Sequence, residues 1–189
     1  MLKPIEFETD RLALRQWRQT DLDPFAALCA DPRVMKFFIS SVHDRETADL
    51  RVEKWSKRLQ QNGWGFWAVE LKQETTFIGF AGLQVPADDH PYMPCVEIGW
   101  RLAYAHWGKG YATEAANGVL NIAFEVLAVP EIIATTAVGN VRSSAVMQRL
   151  GMTGPAAVFR FPEVPEANPL SQHVLYRITR EQWRAKHDA

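Results

Sequence analysis

The stretch HWGKGYATEA, residues 106–115, places Gly108 and Gly110 one residue apart, directly ahead of a helical pattern. Glycine turns the chain through conformations that other residues resist and lets another molecule approach the main chain closely. A helix start adds unpaired N–H groups and the positive end of the helix dipole. The combination suits phosphate, with the Lys109 ammonium in position to meet it. A plain turn feeding a helix accounts for the same glycines, and this stretch alone leaves both readings open. A second candidate is Glu97, set between apolar Val96 and Ile98 in the strand-like CVEIGWRLA. Apolar surroundings raise a carboxyl's pKa towards that of a useful general base. A solvated glutamate on the polar face of a strand fits equally well. Gly99, interior to the same strand, marks a bulge, a close backbone approach or room for packing.

Three phosphate-binding patterns compete for WGKGYATEA. A P-loop requires Ser or Thr after its Lys, and here Gly110 follows Lys109. A dinucleotide fingerprint requires a third Gly or Ala where Thr113 stands, and an acidic residue at the far end of the next strand. Glu131 has about the right separation but precedes that strand. The third pattern needs the surrounding elements to be laid out first.

The 189 residues suit one domain, and 47% hydrophobic with 23% charged residues is ordinary for a globular protein. A formal net charge of −1 offers no basic field for nucleic acid or anionic membrane, so any anion site must be local. Cys29 and Cys95 stand far apart, without the spacing of a zinc site or a disulfide framework, and no metal is expected. The N-terminal MLKPIEFETDRLALRQW carries scattered charge and no apolar core of a signal peptide, and no apolar run is long enough to span a membrane. The expected location is cytoplasmic.

Arg11–Trp17 alternates as an opening strand. TDLDPFAALCADP reads as a short helix capped by Thr20 or Asp21, with Pro24 in its first turn and Pro32 beyond its end. Residues 45–61 carry Ala48, Val52, Trp55 and Leu59 at helical spacing, with Gly63 at the C-cap. Strands follow over 64–71, 76–85 and 95–103, then a helix from Thr113 to Leu127 and a strand over 132–138. A short helix capped by Asn140 ends at Gly151, and two late strands flank a loop rich in Pro and Glu. Thr179 and Gln182 form a capping box for a final helix. Three consecutive central strands exclude a regular doubly wound sheet and predict an α/β (α+β) fold, a mixed, mostly antiparallel sheet flanked by helices.

Strand, interior Gly, turn, GKGYA and helix in that order resemble the coenzyme-A pyrophosphate loop of the GNAT acetyltransferases. Their pattern [QR]-x-x-G-x-[GA] falls on Trp107-Gly108-Lys109-Gly110-Tyr111-Ala112, with Trp107 departing at the first position. ETDRLALRQWRQTDLDPFAALCADPRVMKFF is similar to the opening of the RimJ/RimL-type branch. GNVRSSAVMQRLGM resembles that branch's N-x-x-S…LGF/LGM segment. The resemblance runs from about Glu8 to Trp183 and implies a single acetyltransferase domain over 1–189, core about 8–183.

It implies acetyl-CoA as co-substrate, bound through the amides of Trp107 to Ala112, and direct attack on the thioester by a primary amine. That amine is a peptide N-terminus or a small molecule, such as a polyamine or antibiotic. Backbone N–H groups of Gly99, Trp100, Arg101 and Leu102 would stabilise the oxyanion, and Glu97 would act as base directly or through water. His106 is a weaker base candidate. Asn140 would contact the pantetheine arm and Ser143 would lie near the sulfur, although helix capping alone explains Asn140. Many relatives carry a Tyr general acid where Met147 stands, which leaves Ser143, Ser144 or water to protonate the thiolate and keeps a non-catalytic acyl-CoA-binding regulator as an alternative. Succinyl-CoA as donor also stays open. Arg142 and Arg149 are candidates for the 3′-phosphate, and Glu114 complements the helix N-terminus. Phe37, Phe38, Trp64 and Trp67, with Glu163 and Glu166 of the late loop, are candidates for the acceptor side. A homodimer fits the family.

Overall fold

The computed structural model describes residues 3–38, 44–86, 90–161 and 164–187. Its strands are β1 (Phe7–Glu8), β2 (Leu12–Arg15), β3 (Phe66–Leu71), β4 (Thr76–Gln84), β5 (Glu97–Leu102), β6 (Glu131–Ala137), β7 (Thr153–Arg160) and β8 (Gln172–Thr179). The helices are α1 (Leu22–Ala30), α2 (Pro32–Met35), α3 (Arg45–Asn62), α4 (Tyr111–Asn121), α5 (Val141–Arg149) and α6 (Arg180–His187). The strands follow the order β1-β2-β3-β4-β5-β6-β8-β7 in one open sheet. Pairing is antiparallel for β1–β2, β2–β3, β3–β4, β6–β8 and β7–β8, and parallel for β5–β6, where Glu97 faces Ile133. The expected mixed sheet with flanking helices is the architecture found. The chain divides into two compact units, Met1–Leu83 with Gly99–Val119 and Gln84–Ile98 with Leu120–Ala189.

In the first unit, the four apolar positions of α3 read from the sequence are all buried: Ala48, Val52, Trp55 and Leu59. Trp55 meets Phe66 and Phe80 with ring centroids 5.0 and 4.6 Å apart, in a cluster shared with Phe25, Leu28 and Cys29. Burying side chains of this size contributes about 1.5–3 kcal/mol each. Gly63 ends α3 in the left-handed conformation, φ 80°, and its N–H donates to the Leu59 carbonyl. Pro32 terminates α1 and also opens α2, whose N-cap is Asp31.

Asp21 departs from its expected role. It precedes α1 but its side chain makes no capping bond to that helix. Its carboxylate instead takes Arg15 Nη1 at 2.7 Å and Nη2 at 2.9 Å, and the Arg18 backbone N–H at 2.8 Å. Arg15 also donates to Glu70 on β3, at 2.9 Å from Nε and 2.6 Å from Nη2. All three side chains are buried, and a buried charge holds its place only when paired in this way.

In the second unit, Ile132 and Ile133 of β6, Leu175 and Ile178 of β8, and Met147 and Leu150 are all buried. Asn140 caps α5, and Thr179 and Gln182 exchange the reciprocal capping-box bonds at the start of α6. The helix expected to run from Thr113 to Leu127 is α-helical only to Asn121, after which Ile122–Val126 widen into a π-helical turn.

Glu70→Gln removes one partner of the buried Arg15, and the expected loss of stability is about 3 kcal/mol. Urea unfolding measures it; a change under a few tenths of a kcal/mol would show that the network contributes little.

Candidate functional site

The glycine turn belongs to the first unit. A 3-10 turn, Tyr104–His106, leads to Trp107, and Gly108 and Gly110 both take positive φ, 76° and 84°. A Cβ at Gly108 would meet nothing within 4 Å, so backbone conformation, not crowding, requires glycine there. Gly108, Lys109 and Gly110 are exposed, and α4 begins at Tyr111. The first intrahelical partner is the Gly110 carbonyl, which accepts from the Glu114 N–H at 3.0 Å. Amides ahead of Glu114 therefore have no carbonyl one turn behind them in α4.

Trp107 explains its departure from the family pattern. Its indole Nε1 donates to the Leu102 carbonyl at 2.8 Å, and its ring packs against the aromatic cluster and Tyr104. The side chain thus fastens the turn to the end of β5. Its own amide donates to the Tyr104 carbonyl at 3.1 Å. Tyr104 in turn lies under Arg33, whose guanidinium carbon is 4.0 Å from the ring centre, and Arg33 is held by Asp31 at 2.6 Å.

On the other side of the turn, Glu114 grips the hairpin that joins β1 to β2. Its carboxylate accepts from Thr9 Oγ1 at 2.6 Å, from the Arg11 backbone N–H at 2.8 Å and from Arg11 Nε at 2.6 Å. Arg11 Nη1 donates to the Lys109 carbonyl at 3.1 Å, and the guanidinium covers the Tyr111 ring at 4.5 Å. Burial works against the charge on Glu114, but the Thr9 and Arg11 hydrogen bonds outweigh it and hold the carboxyl below its ordinary value. Thr9 and Arg11 carry no local signal of this role, because they stand more than a hundred residues from their partner. His106 is held below the ordinary imidazole value by burial and by the Lys109 charge, so it is neutral at pH 7.

Gly99 and Arg101 also lie in the first unit. A Cβ on Gly99 would come within 3.2 Å of the Phe66 ring, so this glycine makes room for aromatic packing. The Arg101 side chain is buried beside Cys29, Phe38 and Phe80. Of the proposed acceptor-side aromatics, Trp67 is fully buried and donates to the Ile5 carbonyl, a core role rather than a pocket wall.

In the second unit, Glu97 is held by two side chains that sequence reading did not anticipate. Gln84 Nε2 donates to Oε2 at 2.8 Å and Thr135 Oγ1 donates to Oε1 at 2.5 Å. Oriented carboxylate oxygens keep further lone pairs for an incoming donor. Asn140 Oδ1 accepts from the Ser143 N–H, while its Nδ2 donates to Thr136 Oγ1 at 2.9 Å and Ser143 Oγ at 3.1 Å. Capping and side-chain positioning thus coexist at one residue. Met147 is 2% exposed and sits in the core, and Ser143 and Ser144 are partly exposed. Arg142 and Arg149 are exposed on α5, and Glu166 pairs with Arg160 at 3.2 Å. Glu163 lies outside the described residues.

Residues 11–153 match the family model of the acetyltransferase (GNAT) domain. The chain belongs to the GNAT acetyltransferase family. It is 32% identical over 159 residues to the FsC-acetyl coenzyme A-N(2)-transacetylase of Aspergillus fumigatus, covering 81% of this chain and 67% of that protein. It is 30% identical over 175 residues to the uncharacterized N-acetyltransferase YnaD of Bacillus subtilis, covering 93% of this chain and 97% of the other. A GNAT-family acetyltransferase structure from Bacillus anthracis superposes with TM-score 0.79 at 26% identity, covering 94% and 99% of the two chains.

Because the folded-state pKa of Glu114 is depressed, its contribution to stability is full above the ordinary value near 4.5 and is lost as pH falls through the lower folded value. Glu114→Gln is expected to cost about 1–2 kcal/mol at pH 7 and progressively less in acid. Urea unfolding from pH 7 to pH 3 checks this, and a pH-independent difference would contradict it.

Proposed function

We propose that this chain is a single N-acetyltransferase domain that transfers the acetyl group of acetyl-CoA to a primary amine by direct attack. The observation that carries the reading is the exposed turn at 108–110, with both glycines at positive φ, opening onto the first turn of α4 and braced on both flanks. Helix-start amides that bear no intrahelical bond suit the pyrophosphate of the co-substrate. The amides of Gly108, Lys109, Gly110, Tyr111 and Ala112 would hold it, with the Lys109 ammonium beside them, while Trp107 serves as the anchor of the turn.

Glu97 takes the role of general base, directly or through a water, with Gln84 and Thr135 orienting its carboxylate. Backbone N–H groups over Gly99–Leu102 take the developing oxyanion. Asn140 contacts the pantetheine arm, and Ser143, Ser144 or water returns a proton to the leaving thiolate, since buried Met147 has none to give. N-acetyl transfer from acetyl coenzyme A is supported by the similarity to the Aspergillus protein, which is named an acetyl coenzyme A-N(2)-transacetylase. The acceptor is read as a primary amine, of a peptide N-terminus in the RimJ/RimL manner or of a small molecule.

Gly110→Val forces a β-branched residue into φ 84°, and calorimetric titration is expected to show loss of acetyl-CoA binding in a folded protein. Unchanged affinity would remove the turn from the binding site. Glu97→Gln is expected to lower kcat about 100-fold or more with acetyl-CoA affinity retained. Equal turnover across a pH series would take Glu97 out of the mechanism.

A further inference from the structure

Two arginines of comparable burial have opposite fates in the first unit. Arg15, 6% exposed, is matched to the carboxylates of Asp21 and Glu70. Arg101, also 6% exposed, meets no carboxylate among the described residues. Its Nη1 reaches the Cys29 sulfur at 3.7 Å, a weak acceptor, and its Nε is buried without a hydrogen-bond partner. One face of the guanidinium lies against the Phe38 ring, 3.6 Å from its centre, and Phe80 is 5.4 Å away. Ring faces stabilise a cation in part but accept none of its in-plane N–H bonds. The edge that carries Nε is thus left for an oxygen acceptor.

Arg51 of α3 adds a second cation to the same place. It is partly buried, with its guanidinium 5.9 Å from the Trp55 ring centre, and it pairs with no carboxylate among the described residues. Its charge acts on Arg101 and on Cys29. Burial, together with Arg51, pushes Arg101 down to about 10, so it is still charged at pH 7. Burial also pushes the Cys29 thiol up, so Cys29 supplies no counter-charge. Buried charges are normally paired, and a cation pair that the described residues leave unmatched invites an anion that binds.

We propose that Arg101 and Arg51 form a subsite for an anionic group, a carboxylate or a phosphate, carried by the acceptor amine. The inference rests on the acetyltransferase reading above and narrows its substrate class. Arg101 stands four residues after Glu97 in the same strand, β5, so the candidate base and the cation are close in the chain. The forked N–H edge of a guanidinium matches the two oxygens of a carboxylate or phosphate. Because Arg101 is almost enclosed, the group must be compact.

The test is a thermal-shift titration of the full chain with a panel of amines, each in matched carboxylate, phosphate and neutral-amide form. The wild type is expected to bind charged forms about tenfold or more tightly than neutral ones, and Arg51→Gln and Arg101→Met to abolish the discrimination. Arg101→Met is also expected to melt no lower than the wild type, since it removes a charge that the described residues leave unpaired. Equal binding of charged and neutral forms by the wild type, or discrimination that survives Arg51→Gln, would overturn the subsite. Melting of Arg101→Met well below the wild type would make the guanidinium structural and overturn it too. Acetyl-CoA is titrated in parallel: its failure to bind would defeat the acetyltransferase reading while the amine comparison, which needs no acetyl transfer, still reads the subsite.

Discussion

A single carboxylate, that of Glu114, collects the hydroxyl of Thr9 and the backbone and side chain of Arg11 at the first turn of α4. That grip fixes three things together: the turn between β1 and β2, the start of the helix and, through Arg11, the carbonyl of Lys109. A glycine pair in positive φ is soft by nature, and only such neighbours give it one conformation. A carboxylate near a helix N-terminus is favourable by itself, but here its hydrogen bonds carry the larger part. The opposite flank is held by an indole rather than a charge, where Trp107 closes onto Leu102. The turn is consequently exposed without being loose.

The same physical economy orients two partly buried polar side chains of the second unit. Glu97 is fixed by Gln84 and Thr135, and Asn140 spends its amide on Thr136 and Ser143 while capping a helix. Each of these residues is held by two neighbouring side chains, the condition under which a side chain can be aimed.

Much of the fold was legible because its signals are local. The α3 stripe of Ala48, Val52, Trp55 and Leu59, the Gly63 stop, the Asn140 cap and the Thr179–Gln182 box depend only on residues a turn or so apart. What escaped reading depends on distant partners. Asp21 looks like a cap in sequence, but Arg15 and Glu70 claim it, a choice that only tertiary burial makes. The two-residue β1 has too little pattern to register and exists through pairing of Phe7 with Leu14. The π-helical turn at Ile122–Val126 keeps a helical apolar rhythm and hides within it. For the site, the glycines, Glu97 and Asn140 stand out by type and spacing, whereas Thr9, Arg11, Gln84 and Thr135 are ordinary residues made important by placement. Trp107 was legible as an exception to a pattern but not as the anchor it is.

The central claim is that the braced turn is where the co-substrate's phosphates meet the chain. The most direct measurement follows the backbone amide resonances of Gly108, Lys109, Gly110, Tyr111 and Ala112 while acetyl-CoA is titrated, with NAD as a comparison. The account predicts saturable shifts of these amides with acetyl-CoA and none with NAD. Acetyl-CoA binding that leaves all five amides unmoved would contradict it.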